Sequence, residues 1–422
     1  MFERTYRQRL HTDLARWEGE GVITPATGAA IRSALPPLSA AVNIATVVGI
    51  FGGLLIAAAF LAFIAANWTV IARPVRFAIL LAGIVGAHGA GAAFAHGDRK
   101  ALADIAACVG TIVFGAAIAL VGQMYHLGGD FAGGMMLWSA GALVAAAATG
   151  SRGALAVALA AGCIWSGMRM FEESQAPHLP FVAVWLSAAG LAVIWNSSVA
   201  RHLVALAGLA WWGLTQSAII DRFSDHTTLA TFAAGGTMFL GAGLTLTRLQ
   251  RETLRQFGQT LSTYGAFGLA IACALTTIAE TLLHSTLGNE IWVVLCGVAG
   301  VILCFTGAAI GRSAGMAFAG AAGALGFVAI AGWAPEAASG EPWLAYALLL
   351  GSMLCLVVSG MLDEVQPRVV AGWLGLAATI AAITWAVRGS LLRRAVFLAV
   401  AGLAAVGLAT ALGKLMPKER PR

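Results

Sequence analysis

Charged residues are what this sequence has least of. They make up only 10% of its 422 residues, whereas 59% are hydrophobic and 52 are glycine. Soluble globular domains carry about 25% charged residues, so this chain lacks the polar surface that a water-facing globule needs. The composition therefore excludes an ordinary soluble protein.

Several chemical signatures are also missing. There is no phosphate-binding Gly-x-x-x-x-Gly-Lys, no His-Glu-x-x-His and no Cys-x-x-Cys, and basic residues do not alternate with exposed aromatics as in nucleic-acid binders. We therefore expect no cofactor, no metal ion, no catalytic residue and no nucleic-acid partner, and we expect the protein not to be an enzyme. The cysteines, which we expect to be small packing residues, are Cys108, Cys163, Cys273, Cys296, Cys304 and Cys355.

Long apolar runs are what the chain has instead. Runs of about 20 residues recur from position 43 to position 412, each long enough to cross the hydrocarbon of a bilayer as a helix. Strand-like alternation is absent, so the sequence predicts an all-α, polytopic transmembrane helix bundle. The fourteen predicted spans are 43–66, 77–95, 102–125, 134–150, 153–170, 180–195, 202–220, 229–247, 258–280, 291–310, 314–333, 343–361, 369–387 and 394–412.

The distribution of positive charge predicts the orientation. With the N-terminus in the cytoplasm, eighteen of the 25 Lys and Arg residues fall on the inner side and seven on the outer side. Inner loops of membrane proteins carry the excess of Lys and Arg, so we expect both termini inside, in the inner membrane of a bacterium. Arg388, Arg393 and Arg394 oppose this assignment, which leaves the number of spans near 388–394 open, as it is near 150.

The polar segments divide the chain. Residues 1–42 predict a cytoplasmic helical hairpin, with Leu10, Leu14 and Trp17 on one stripe of the first helix and Thr24-Pro25 opening the second. Spans 1 to 8 occupy 43–247, a basic cytoplasmic loop 248–257, spans 9 to 14 residues 258–412, and a cytoplasmic tail 413–422. Two short helices bury little apolar surface alone, so we expect the hairpin to pack on the membrane domain or on a protein partner.

Polar side chains concentrate at the ends of two predicted spans. Asn67 and Trp68 follow the first span, while Gln123, Tyr125, His126 and Asp130 end the third span or follow it. Both spans run outward in the predicted topology, so these six residues form one candidate polar site on the outer face. On a helix Gln123 and His126 share a face.

Two interpretations of these residues stay open. An amide, an imidazole and a carboxylate could bind a polar or proton-linked ligand, and polar groups in membrane helices are often functional. Alternatively, Trp68, Tyr125 and Trp138 form an interfacial aromatic belt and Asn67 caps a helix.

The same motifs carry a family resemblance. Leu14-Ala15-Arg16-Trp17, Gly21-Val22-Ile23-Thr24, Ala66-Asn67-Trp68 and Gly122-Gln123-Met124-Tyr125-His126 with Gly129-Asp130 occur in the order found in the bacterial DUF2157 membrane protein family. The chain resembles that family over roughly residues 10–150. The family has no known function, so the resemblance implies a membrane location and no activity.

Two functions fit these observations. One is a transporter or flippase-like protein for a small molecule or amphiphile, with the outer polar site lining its path. The alternative is a non-catalytic membrane scaffold or sensor that docks a cytoplasmic partner through the N-terminal hairpin. An outer-facing enzyme using His126 and Asp130 is a more distant third. A polar cavity at the membrane midplane favours transport, and a dry core favours the scaffold.

Overall fold

The structure is a computed structural model. It describes residues 2–34, 71–126, 130–173, 178–220, 225–278, 291–311, 313–331 and 343–386, with scattered positions between 49 and 66. Asn67 and Trp68, most of the predicted first span, the whole predicted last span and the predicted tail 413–422 lie outside the described residues.

Every regular element in the described ranges is an α-helix, as predicted. The helices are α1 (Phe2–Gly19), α2 (Pro25–Ala34), α3 (Arg73–His96), α4 (Lys100–Tyr125), α5 (Phe131–Thr149), α6 (Arg152–Glu173), α7 (Pro180–Ile194), α8 (Ser198–Ile220), α9 (Asp225–Leu246), α10 (Glu252–Ile278), α11 (Ile291–Gly311), α12 (Ala314–Ile330), α13 (Trp343–Leu362) and α14 (Gln366–Ala386).

Local sequence explains where several helices begin and end. Asp130 and Ser313 are N-caps, whose side chains accept hydrogen bonds from the backbone N–H three residues later. Pro180 occupies the first turn of α7, where a missing N–H has no consequence. Gly150 ends α5 in the left-handed conformation that glycine adopts without strain (φ 67°).

Helices occupy the positions of all twelve predicted spans from 77–95 to 369–387. The largest shift is at α10, which begins at Glu252, six residues before the predicted span and inside the predicted loop 248–257. The Glu252 carboxylate accepts hydrogen bonds from the side chains of Arg255 and Gln256 one turn later. Such pairs stabilise a helix in polar sequence.

The apolar length of the helices indicates a membrane protein. Among the described residues, eight helices are long and apolar enough to cross a bilayer: α3, α4, α5, α6, α9, α11, α13 and α14. Helices α7 and α12 are apolar but shorter, with 15 and 17 residues. The total of fourteen crossings and their orientation therefore remain predictions.

Large apolar side chains lie exposed along the helices. Val85 of α3, Val144 of α5, Ile194 of α7 and Ile310 of α11 are between 62% and 77% exposed. In water such a surface would drive aggregation, whereas in a bilayer it contacts lipid chains. The chain is a membrane protein with several candidate transmembrane helices.

Contacts between side chains fix which helix ends lie together. Asp104 near the start of α4 accepts a hydrogen bond from Ser151 at the start of α6, at 2.5 Å, while Asp130 at the start of α5 pairs with Arg169 near the end of α6. Helices α4 and α6 are therefore parallel, and α5 runs the other way. We call the two ends of the bundle the Asp104 end and the Asp130 end.

The C-terminal bundle, α9 to α14, holds the larger core. Buried residues from all six helices form one cluster, which includes Leu240, Leu269, Met316, Leu349 and Leu376. Glycines bring these helices into backbone contact: a Cβ on Gly236 of α9 would lie 2.7 Å from the backbone nitrogen of Leu269 in α10. Close approach through small residues is a common way for membrane helices to associate.

The three-helix unit, α3 to α5, is far less enclosed. Only 11% of the most apolar stretch of α3 is buried, and 28% and 22% of those of α4 and α5, compared with 67% for α9. Leu80 and Ala117 join α3 to α4 in a small cluster of their own. This unit carries most of the described part of the predicted polar site.

Candidate functional site

Asp130 connects two helices at the end of the bundle named after it. Its carboxylate accepts a hydrogen bond from the backbone N–H of Gly133 at 2.9 Å and caps α5. The other carboxylate oxygen lies 2.5 Å from the guanidinium of Arg169 near the end of α6. Asp130 therefore both begins α5 and holds it to α6.

The same contacts set the charge of Asp130. The backbone N–H of Gly133 lowers the pKa of this carboxyl group most, burial raises it, and the charge and hydrogen bond of the Arg169 guanidinium lower it further, so that the pKa is lowered overall. The side chain is a carboxylate at neutral pH, already bound by two donors. Its exposed fraction is 55%, so it remains accessible to a polar ligand.

The end of α4 departs from the predicted geometry. The helix stops at Tyr125, and His126 takes the left-handed conformation with φ 51° and ψ 37°. His126 has therefore left the helix, and the expectation that it shares a helical face with Gln123 is wrong. Its N–H instead donates to the carbonyl oxygens of Gly122 and Gln123, as in a C-cap that is usually glycine.

Three of the predicted residues are exposed at this end. Gln123, Tyr125 and His126 are all exposed, Tyr125 by 50%. Among the described residues, no hydrogen bond joins any of them to Asp130. The structure thus places four of the six predicted residues at one end of α4 and α5, while Asn67 and Trp68 lie outside the described residues.

A neighbouring group of polar side chains was missed by the sequence analysis. Ser166 of α6 is fully buried and accepts a hydrogen bond from Trp211 Nε1 at 2.8 Å. His178, just before α7, has Nδ1 3.2 Å from the same hydroxyl oxygen and packs edge-on against Trp165 at 4.6 Å between ring centroids. Because Arg169 follows one turn later, α6 presents this group and the Asp130 partner at the same end.

A signal for this group was present in the sequence. Trp165, Ser166 and Arg169 stand close together in an otherwise apolar helix, and polar residues within membrane helices usually have partners. The partners Asp130 and Trp211 are distant in sequence, so only the packing of α5, α6 and α8 reveals them.

The arrangement can bind polar groups. Ser166 is enclosed by Trp211 and His178 rather than open to a substrate. In the described ranges, no three His, Cys, Asp or Glu side chains are grouped so that they could hold a metal ion. Carboxylate, guanidinium, imidazole and amide groups at a membrane boundary are suited to hydrogen bonding with a polar ligand.

At the Asp104 end, polar residues connect neighbouring helices by hydrogen bonds. Asp104 accepts hydrogen bonds from Ser151 and from the backbone N–H of Gly153 at the start of α6. The surface depression that the described residues form here, around Asp98 to Leu102, has about 470 Å³ and is wide open. It lies at the opposite end of α4 from His126.

A buried ion pair joins α12, α13 and α14 at this end. Arg368 donates to Asp363 at 2.7 Å and to Ser359 at 2.9 Å, and Ser313 donates to the other oxygen of Asp363 at 2.6 Å. Ser313 belongs to Gly311-Arg312-Ser313-Ala314-Gly315, which matches the Gly-x-Ser-x-Gly pattern of hydrolases. Here the serine is the N-cap of α12 and therefore has a structural role.

These features define a helical membrane protein with a polar group at one end of its bundle. Residues 15–155 match a family model described as "Predicted membrane protein (DUF2157)". No curated protein and no solved structure matches the chain. The matched segment contains α3, α4, α5 and Asp130 but ends early in α6, so Ser166, Arg169 and His178 lie beyond it.

Proposed function

We propose that the protein is a non-catalytic membrane scaffold or sensor, embedded in the bacterial inner membrane, that docks a cytoplasmic partner through α1 and α2. The dry interior of the C-terminal bundle carries this proposal. A carrier needs polar groups that face a path near the midplane, whereas the described interior of α9 to α14 is largely apolar and closely packed.

Several buried hydroxyl groups of this bundle support the proposal, although that of Thr379 in α14 has no hydrogen-bond partner among the described residues. Thr237 and Thr276 donate to carbonyl oxygens one turn earlier in their own helices, and Ser352 donates to the carbonyl of Ala322 in α12. Hydroxyls bonded in this way are not available to a passing solute. All described acidic residues of the membrane helices lie within five residues of a helix end, away from the midplane.

The N-terminal helices offer a surface for a partner. Leu14 of α1 is fully buried, and Arg32 of α2 pairs with Glu18 of α1 at 2.9 Å, which holds the two helices together. Val22 in the connecting turn is 66% exposed and Ile31 is 36% exposed. Apolar side chains on a polar, cytoplasmic segment favour burial against another protein.

Photocrosslinking from the full chain in cells tests this proposal. A photoreactive residue at Val22 is expected to give a protein adduct of defined mass, and Ile31→Ser is expected to reduce its yield. The same residue at Leu81 of α3, which is 51% exposed on an apolar helix, serves as the control and is expected to capture lipid. Absence of any protein adduct at Val22 would contradict the scaffold.

A transporter or flippase-like protein for a small molecule or amphiphile is the second candidate. It is favoured by the exposure of Gln123, Tyr125 and His126 beside the Asp130–Arg169 pair. In this case the polar group at the Asp130 end would receive the solute on the outer face, and the less enclosed three-helix unit would move.

Two substitutions at one position separate the candidates. His126→Gly removes the imidazole but suits the left-handed C-cap, whereas His126→Ala removes the imidazole and leaves the strained backbone. If the imidazole binds a solute, both variants lose uptake or export. If His126 only ends α4, the glycine variant behaves like the parent chain and the transport proposal loses its main support.

A further inference from the structure

The guanidinium of Arg248 has an unusual environment at the Asp104 end. Arg248 follows the end of α9 and is exposed, and its Nε and Nη2 atoms lie 3.1 and 2.9 Å from the thioether sulfur of Met316 in α12. The guanidinium also lies against Gly311 at the end of α11, where an added Cβ would come within 2.5 Å of Arg248 Nε and Cζ. Three helix ends therefore fix the position of this cation.

This cation has no acidic partner within the part of the chain that the structure describes. A thioether is a weak acceptor, and a guanidinium has five N–H donors that favour carboxylate or phosphate oxygens. Asp363 lies against Gly315 in the first turn of α12, next to Met316. Its two carboxylate oxygens, however, already accept hydrogen bonds from Ser313 and Arg368. Arg248 therefore keeps donors free for an external anion.

The neighbouring segment of the chain is net positive. Arg251, three residues on, is exposed, and Arg255 pairs with Glu252 within α10. The short segment from 248 to 255 thus has three arginines and one acid. Basic groups at the ends of membrane helices attract anionic headgroups.

Exposed apolar side chains flank this contact in the sequence. Leu249, which follows Arg248, is 47% exposed, and Ile310, which precedes Gly311, is 74% exposed. A ligand that joins a phosphate to hydrocarbon chains matches both parts.

We propose that Arg248, seated on Gly311, binds the phosphate of an anionic phospholipid whose acyl chains contact the exposed side chains of Leu249 and Ile310. The guanidinium provides the charge and the paired N–H groups, and these two side chains provide the apolar contact. This site lies at the opposite end of the bundle from Asp130 and does not depend on either proposed function.

Thermal unfolding of the purified full chain in neutral detergent tests the proposal. We expect phosphatidylglycerol to raise Tm more than phosphatidylcholine of the same chain length, and Arg248→Gln to remove most of that difference. Gly311→Ala keeps every charge but displaces the guanidinium, so it is expected to have the same effect. Lys100→Gln removes a positive charge at the same end, next to Asp98, and is the matched control that keeps the difference.

Two results would overturn the site. One is a phosphatidylglycerol effect of parental size in both Arg248→Gln and Gly311→Ala. The other is an equal rise of Tm with inorganic phosphate, which would identify a free anion rather than a lipid as the ligand. Native mass spectrometry gives a second readout: the parent chain should retain bound phosphatidylglycerol, and both variants should lose it even if their Tm in phosphatidylcholine is lowered.

Discussion

Glycines of the C-terminal bundle and of the three-helix unit have different neighbours. In α9 and α10, a Cβ on Gly243 or Gly265 would overlap the backbone of Ser262 or Leu240 in the facing helix. In α4, a Cβ on Gly115 would instead overlap the ring of Trp138, and Gly89 of α3 has nothing within 4 Å. Glycines such as Gly243 and Gly265 therefore bring backbones together and leave no room for adjustment, whereas Gly115 seats a side chain that can move. The bundle also has glycines of the second kind, such as Gly235 beside the Trp212 ring.

The largest expected effect concerns the ion pair of the C-terminal bundle. Arg368→Gln should lower the free energy of unfolding by about 3 to 5 kcal/mol, because Asp363 would remain buried without its counter-charge. The exposed fractions of the two side chains are 3% and 15%. Denaturant unfolding in detergent measures this difference.

The control for that prediction is an exposed ion pair. Arg255→Gln breaks the contact with Glu252, in which both side chains are more than half exposed, and should cost roughly 0 to 1 kcal/mol. Equal effects of the two substitutions would mean that the ends of α13 and α14 are open to water.

The next effect tests the backbone contact between α9 and α10. Gly265→Ala should destabilise the protein by about 1 to 3 kcal/mol, because its methyl group meets the backbone of Leu240. Gly89→Ala, where the space is open, should be neutral or stabilising by up to about 1 kcal/mol from helix propensity. Unfolding curves of the two variants compare them directly, and an equally small effect of both would contradict the close packing.

A smaller cost is expected in the three-helix unit. Gly115→Ala displaces the Trp138 ring and breaks the 2.9 Å hydrogen bond from Trp138 Nε1 to the carbonyl of Thr111. The loss should be about 1 kcal/mol, that of one hydrogen bond, because the ring can move outward. Trp138→Phe removes the same bond and is the reference; a Gly115→Ala effect much larger than the reference would show that this unit is as rigid as the bundle.

The smallest effect is the acid dependence of the Asp130–Arg169 contact. Because the pKa of Asp130 is lowered in the folded chain, its carboxylate stabilises the fold at neutral pH. This stabilisation is lost as the pH falls through the lowered pKa. Asp130→Asn should remove that part of the acid dependence, which unfolding measured between neutral and acid pH would show. An unchanged acid dependence in the variant would contradict the contact.

Much of the helical framework follows from the sequence. Runs of about 20 apolar residues define membrane helices because a bilayer forces the backbone to satisfy its own hydrogen bonds. Helices α3 to α14 therefore lie where apolar runs lie. The sequence predicts the start of α10 six residues too late, because charged residues such as Glu252 and Arg255 are typical of loops. Only the structure reveals that these two side chains pair within the helix.

The candidate site follows from the sequence only in part. Asp130 and the end of α4 stand out as polar residues beside apolar runs, and the structure places them at one end of the bundle. The sequence does not predict the left-handed conformation of His126, because residues other than glycine adopt it uncommonly. The pairing of Asp130 with Arg169, 39 positions away, depends on how α5 packs on α6, and local spacing contains no such information.

The dry interior is the central claim, and thiol accessibility measures it most directly. Cys273 of α10 is fully buried near Ser352, whereas His126 is exposed at the Asp130 end. Two single-cysteine chains are compared in liposomes, one keeping only native Cys273 and one carrying only His126→Cys. A small hydrophilic thiol reagent is expected to label the second chain quickly and the first only after unfolding. Rapid labelling of Cys273 in the folded protein would reveal water inside the bundle, and would contradict the scaffold in favour of a transport path.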